Sequence, residues 1–574
     1  MNKFFKKLSV CVLCAAMLCA AAGCANGKGP AEDPKFEGKN PFTLKVYNYL
    51  GGFGSEWLDA LEERYEEEKM GKSITVDGVT YDCVDVKVEG VKQSMTQAQL
   101  TFQATNHVYF QESVNYMSCL RQGNIFEDMT DAMTKENPYE PGTTLESKLS
   151  EEQRNYYNRG TEDEPLYYGI PHYAAYVGLT YNIDLFDSQG FYLKKDYDYD
   201  GNTANLYKCF TKQSSEKSAG PDGKSGTNDD GLPTTYDEFF MLCGYIAQYG
   251  MVPISWTGHK DYTVQYITWF LNALAANYEG LAQMNLNYLF TGTAEDLVSV
   301  DDSGNVTFLD STPIDSETGY ELAKQAGKYY GLSFLEKIID EGWNNDGAFE
   351  QTFSQTNAQD EFILGDNEGT QSAMLMDGVW WEMEANSTFL TLEQSGLAGK
   401  NERNYGWMPL PCATEEKAEE RAAKLSKGEN GYTLIDMHNS LCFIGKGISA
   451  DEKKVAVDFI QFAYTDTSLA EFSRITDTTK AVRYKLSDKQ KAEMSAYGRS
   501  ILEVQEKADI VYPFSDSSFF QNNDTYFSDT INLYYTKDGN NPANAFKTGK
   551  SAKTYFDDVY SYMKNTTWRT LAKG

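Results

Sequence analysis

The sequence predicts an α/β protein with largely parallel sheets, divided into two or more domains, and three observations carry that prediction. The region after residue 40 opens as strand, glycine loop and helix. Strand-like apolar runs then keep alternating with capped helical segments, as βα units require. Finally, 574 residues are too many for one ordinary hydrophobic core.

Before the first of these elements comes an export signal. Lys3, Lys6 and Lys7 form a positive start, Leu8 to Ala22 an apolar run too short to span a bilayer, and small residues lead to Cys24. The stretch Ala21-Ala22-Gly23-Cys24 resembles a bacterial lipobox, with Ala21 where such boxes prefer Leu. A cut there would leave Cys24 as the lipidated first residue; a plain secretory signal cut near the alanines is the alternative. Residues 25–40, rich in Gly, Pro, Lys and acidic side chains, read as a flexible tether.

Phe42, Leu44 and Val46 alternate with polar residues as in a half-buried strand, and Gly51-Gly52-Phe53-Gly54 ends it. Ser55 is placed to cap a helix whose apolar face is Trp57, Leu58, Leu61 and Tyr65. Short apolar runs follow at Val108–Phe110 and Tyr176–Tyr181. Thr235 with Glu238, and Ser449 with Glu452, read as capping boxes opening two further helices. An aspartate-rich insertion, residues 194–232, interrupts the alternation without apolar periodicity. No internal repeat of solenoid length is present.

Composition excludes some partners. The formal net charge of −33 repels polyanions, so nucleic acid is not expected as a partner. Outside the signal the cysteines are Cys83, Cys119, Cys209, Cys243, Cys412 and Cys442, scattered and without a CxxC pair, and they read as buried thiols. No later run is long and apolar enough for a transmembrane helix.

Motifs for catalysis are missing. There is no HExxH, no GxSxG and no phosphate loop, and His107, His172, His259 and His438 are isolated. Two carboxylates would suffice for a glycosidase, and 84 Asp and Glu nominate no particular pair. A cation is suggested by Asp196, Asp198, Asp200 and Gly201, whose DxDxDG spacing opens calcium loops. Tyr207 stands where an EF-hand needs its bidentate Glu, so this is not an EF-hand. Asp222, Asp229 and Asp230 among glycines could complete a structural Ca2+ site, the alternative being a solvated acidic turn; no other cofactor is expected. Aromatic residues cluster at Phe53 and Trp57, at Tyr167–Tyr181, from Trp256 to Trp269, and at Trp380-Trp381. Sugar rings rest a C–H face on such planes, while carboxylates and amides hold the hydroxyls. Adjacent Trp380 and Trp381 would face opposite ways on a strand, which leaves one without a core.

At this point several segments resemble, in order, the extracellular solute-binding proteins of carbohydrate ABC transporters (family 1), the maltose-binding-protein-like group. PFTLKVYNYLGGFGSEWLDALEERYEEE is similar to the opening strand, ligand loop and helix, and VYFQESVNYMSCLRQGNIFEDMTD to the segment placing a site carboxylate. YYGIPHYAAYVGLTYNIDLF resembles the first crossover between lobes, and EGTQSAMLMDGVWWEME the strand whose tryptophan stacks on sugar. NYGWMPLP and NSLCFIGKGISADEKKVAVDFIQFAYTD resemble the return to the first lobe.

The resemblance implies a two-lobed, periplasmic-binding-protein-like (type II) α/β fold with a ligand cleft between lobes. It places Glu112, with Gln111 beside it, at a first-lobe carboxylate, Tyr173 on the crossover, Tyr262 at a second-lobe aromatic and Trp380 at the stacking position. Phe53, Trp57, Trp256 and Trp381 join these as candidate ligand residues. The implied organisation is signal 1–23, tether 24–40, an N-terminal lobe of 41–180 plus 438–476, and a C-terminal lobe of 181–437 plus 477–574. The expected function is a monomeric, lipid-anchored receptor that closes on a carbohydrate, an oligosaccharide by preference, and delivers it to ABC permease subunits without chemistry. Competing readings are an anchored extracellular glycoside hydrolase and a glycan adhesin or sensor.

Overall fold

The computed structural model describes residues 34–92, 94–112, 114, 116–123, 125–260, 262–436, 440–513, 534 and 541–568. Cys24 and His438 lie outside the described residues. The strands that build the two main sheets and the link between them are, in chain order, β1 (Pro41–Tyr49), β2 (Cys83–Val91), β3 (Val108–Gln111), β4 (Ile170–Pro171), β5 (Val177–Asn182), β6 (Val252–Ser255), β7 (Ser372–Gly378), β8 (Tyr405–Met408), β9 (Tyr432–Ile435), β10 (Leu441–Ile444) and β11 (Ala508–Val511). The helices that matter below are α1 (Glu56–Lys69), α2 (Tyr236–Gln248), α3 (Thr263–Leu289), α4 (Gln355–Leu364), α5 (Trp381–Glu384), α6 (Ala450–Ala463), α7 (Asp466–Thr476) and α8 (Ala496–Gln505).

One sheet has the order β2-β1-β3-β10-β4, the other β6-β7-β5-β8. The sheets are mixed, not largely parallel. β1 runs parallel to β2 and β3, but β10 is antiparallel to both β3 and β4. In the second sheet β6 and β7 are parallel, while β5 is antiparallel to β7 and β8. The reason is connectivity: β5 and β10 each follow a passage from one sheet to the other and enter their new sheet against its prevailing direction.

Those passages lie side by side. The segment from β4 to β5 donates His172 N–H to the Ser440 carbonyl, Tyr173 N–H to Ser440 Oγ and Ala174 N–H to the Thr479 carbonyl. Ala175 N–H reaches Asp436 Oδ1 at 3.1 Å. Three strands of chain, at residues 172–176, at 436 and 440, and at 477–481, are thus stitched together where the chain changes sheet. They form the hinge region of a two-lobed α/β molecule.

Local predictions are met unevenly. Phe42, Leu44 and Val46 are buried in β1, and Trp57, Leu58, Leu61 and Tyr65 are the buried face of α1. Ser449 and Glu452 form the reciprocal capping box of α6. Thr235 caps α2, but the Glu238 carboxylate accepts from Thr234 N–H, so no reciprocal box forms. Ser55 occupies the cap position of α1 without capping it, because its hydroxyl turns to the stronger charged acceptor Asp59, 3.3 Å away. All six cysteines outside the signal are free and buried. No helix among the described residues is long and apolar enough to cross a membrane.

A candidate ligand cleft between the lobes

The glycine loop after β1 is where the two lobes meet. Asn48, fully buried, donates its Nδ2 to the Gly54 carbonyl at 3.0 Å, and Gly54 N–H returns to the Leu50 carbonyl at 2.7 Å, so the loop is a closed turn. Gly51 takes a positive φ, and a Cβ there would lie 2.8 Å from Glu112 Oε1 and 2.5 Å from the Tyr49 ring. A Cβ on Gly52 would collide with Trp380, coming within 2.5 Å of its Cδ1. Only glycines let the loop pass between Glu112 of its own lobe and Trp380 of the other.

Trp380 stands just after β7, at the position preceding the short helix α5. Its indole folds back over Gly378, where a Cβ would strike the six-membered ring. Trp269 and Tyr266 of α3 meet it edge-on, with ring centroids 6.1 and 6.4 Å away. The result is an aromatic wall on the second lobe, facing the glycine loop of the first.

Carboxylates gather beside that wall. Glu112, at the end of β3, is buried, and burial first and Glu384 second push its carboxyl well above the usual range. Asp377, in β7, is pushed up to about 8 by burial and then by Glu384. Burial also raises Glu384, at the end of α5, against the hydrogen bonds of Gln359 and Gln355. A single amide ties the second-lobe pair together: Gln359 Nε2 donates to Asp377 Oδ2 at 3.0 Å and to Glu384 Oε2 at 2.8 Å. The Tyr49 phenol is raised by burial, then by Glu112 and Glu384, with Tyr262 adding a smaller effect.

Sequence reasoning missed Tyr49, Tyr266, Gln359, Asp377 and Glu384. A signal existed for some. Glu384 stands one helical turn beyond Trp380, and Asp377 immediately precedes the glycine on which the indole lies.

The candidate residues divide accordingly. Glu112 and Trp380 flank the glycine pair, and Tyr262, 39 % exposed at the start of α3, lies within electrostatic reach of Tyr49. The others are core. Trp381 is fully buried among Phe362, Tyr405 and Tyr497, and Trp256 is fully buried near Phe349. Trp57 packs on Phe110, His172 and Phe472, Phe53 lies 4.3 Å from the buried Tyr173, and Gln111 uses its amide to hold the Met95 carbonyl. Phe53 and Trp57 are thus packed in the hinge, and Trp256 and Trp381 inside the second lobe.

Nor do the six aspartates assemble into one site. Asp200 accepts from Asn202 N–H and Asn205 Nδ2 within its own exposed turn, apart from the second cluster. Asp222, Asp229 and Asp230 instead wrap around the Thr227 hydroxyl at 3.4, 2.7 and 3.3 Å. Among the described residues no group of three or more His, Cys, Asp and Glu side chains has metal-site spacing. Burial, with Asp222 nearby, raises Asp229 to about 6.

No protein-family model matches the chain, and no curated relative matches it. Solved structures do match. A chitin oligosaccharide binding protein is similar at 14% identity and a TM-score of 0.51, covering 93% of this chain and 100% of its own. The cyclic alpha-maltosyl-1,6-maltose binding protein from Arthrobacter globiformis is similar at 12% identity and the same TM-score, again covering 93% of this chain and all of its own. At such identities the likeness is one of fold, and this chain has the two-lobed α/β fold of those two binding proteins.

Proposed function

We propose that this chain is a carbohydrate-binding receptor of an ABC importer, a member of the family 1 extracellular solute-binding proteins, held outside the cell membrane by a lipid on Cys24. The observation that carries the reading is the meeting of Trp380 and Glu112, from opposite lobes, at the Gly51-Gly52 turn. A sugar ring entering there would find an aromatic face with two carboxyl groups from one lobe and the Glu112 carboxyl from the other, and so would favour the closed arrangement by its greater affinity for it. The likeness in fold to a chitin oligosaccharide binding protein supports a ligand of several sugar units. Closed and loaded, the protein would hand its ligand to permease subunits, as a monomer.

Incubation of the purified protein with an oligosaccharide panel tests this reading. Thermal stabilisation without product supports a receptor. Glu384 lies within electrostatic reach of Glu112, and two neighbouring carboxyl groups favour glycoside hydrolysis as the second reading; turnover abolished by Glu112→Gln would establish it. An adhesin or sensor would bind sugar with no permease encoded nearby. The proposal extends to structural Ca2+, narrowed to the loop of Asp222, Asp229 and Asp230.

A further inference from the structure

Away from the cleft, we infer that Lys328 and Asn287 become joined by a side-chain amide bond, which the folded second lobe forms by itself with release of ammonia. The observation that carries it is a lysine amine held against a carboxamide where water is excluded. Asn287, near the end of α3, is 3% exposed, and so is Lys328, in the helix Ala326–Asp340 packed beside it. Lys328 Nζ lies 2.8 Å from Asn287 Oδ1 and 2.8 Å from the Leu322 carbonyl oxygen. The amide cannot be turned around. Asn287 Nδ2 donates to the Met284 carbonyl at 3.0 Å and to Gln325 Oε1 at 2.8 Å, and Gln325 is itself fixed by donating Nε2 to the Gln283 carbonyl. The carbonyl end of the Asn287 amide is therefore the end that faces the amine.

The amine has the surroundings of its neutral, nucleophilic form. Two acceptors meet Nζ, which matches the two hydrogens of a neutral amine and would leave one hydrogen of an ammonium unsatisfied in the interior. Burial pushes it down to about 7. A proton donor stands close by. Glu279 Oε1 accepts from the N–H of Gly327, the residue before Lys328, at 2.8 Å, while Oε2 is buried without a partner. Burial pushes this carboxyl up to about 8 against the Gly327 hydrogen bond, with Asp296 adding to the rise and Lys328 and Lys417 opposing it. The reaction balances without oxidant or cofactor. The Nζ lone pair attacks Asn287 Cγ and forms the Nζ–Cγ bond; the Cγ–Nδ2 bond breaks and Nδ2 leaves as ammonia. Glu279 gives its proton to Nδ2 and takes one from Nζ, so it ends as it began. Both reacting groups are already held in place, and burial keeps water from competing. The product ties α3, which carries Tyr266 and Trp269 of the aromatic wall, to the following helix and closes residues 288–327 into a covalent loop.

Tandem mass spectrometry of a proteolytic digest of the purified full chain tests the inference. The expected result is a branched peptide joining the Asn287 and Lys328 fragments, one ammonia lighter than their sum, as the main form of both residues. Lys328→Arg, whose guanidinium stays protonated and is no nucleophile, should give separate fragments and a lower melting temperature. Glu279→Gln keeps the amine and the amide but lacks the acid, and should leave most freshly made chains unlinked. Should either variant fail to fold, the wild-type digest still decides. Separate, unmodified Asn287 and Lys328 fragments from the wild type overturn the inference, as does loss of ammonia at Asn287 without a branch. Undiminished linking in Glu279→Gln overturns the part given to the acid. None of these results bears on the sugar-receptor reading, which has its own titration.

Discussion

Trp380 rests on Gly52, a side chain of one lobe against bare backbone of the other, with no room between them for a methyl group. That contact makes the closed arrangement depend on the absence of a side chain at a single position. It also explains why two consecutive glycines follow β1, where one would have sufficed to end a strand.

Gly52→Ala is therefore expected to hold the lobes apart. Its Cβ would meet the Trp380 Cβ and ring atoms, which are anchored by the backbone and by Gly378, so relief requires opening of the cleft. Sugar affinity should fall about tenfold or more, since a ligand binds only the fraction of molecules able to close. Titration calorimetry beside a thermal melt checks this; unchanged affinity would show that the two lobes need not approach so closely.

Asp377 gives a pH dependence with a defined sign. Its carboxyl, ordinarily near 3.8, is raised to about 8 in the fold, so the folded state holds a proton that the unfolded state has released. Stability attached to this group is complete below the ordinary value and is lost as pH rises between roughly 4 and 8. Melting temperatures measured across that range should fall more steeply for the wild type than for Asp377→Asn. Parallel curves would remove the assignment.

Lys480 lies buried in the hinge over the rings of Trp57, Phe472 and Phe110 and beside His172 Nδ1, and burial pushes its ammonium well below the usual range. Burying this ammonium carries a cost that fades as pH rises toward the ordinary lysine value. Lys480→Met should accordingly melt higher than the wild type at neutral pH, with the advantage shrinking in alkali. A lower melt for the variant would mean that the hydrogen bond to His172 outweighs the cost of burial.

Ca2+ has a separate test. Added to metal-stripped protein it should raise the melting temperature and lower the raised Asp229 carboxyl, and Asp222→Asn should abolish the response. An unchanged melt would leave Asp222, Asp229 and Asp230 as a self-satisfied turn around Thr227.

Much of this fold was legible because local chemistry and global packing agree. The alternation of β1, the apolar face of α1 and the Ser449 box each read directly from spacing. Strand direction did not, since parallel and antiparallel pairing depends on which lobe the chain has just left. In the site, Trp380 was legible as half of an adjacent pair needing two environments, and its partner Trp381 filled the core. Gln359 was not: it reaches Asp377 and Glu384 from a different element, and nothing in its own neighbourhood marks it. Phe53 and Trp57, aromatics next to a ligand-like loop, pack on Tyr173, Phe110, His172 and Phe472 at the hinge, a long-range placement their spacing does not show.

The most direct test of the central claim is a calorimetric titration of the purified protein against an oligosaccharide panel, run beside Trp380→Ala and with the mixture assayed for products. Saturable binding of at least one sugar is expected, with no product and with affinity weakened about tenfold or more in the variant, which should keep its fold. Release of product, absence of binding across the panel, or wild-type affinity in Trp380→Ala would contradict it.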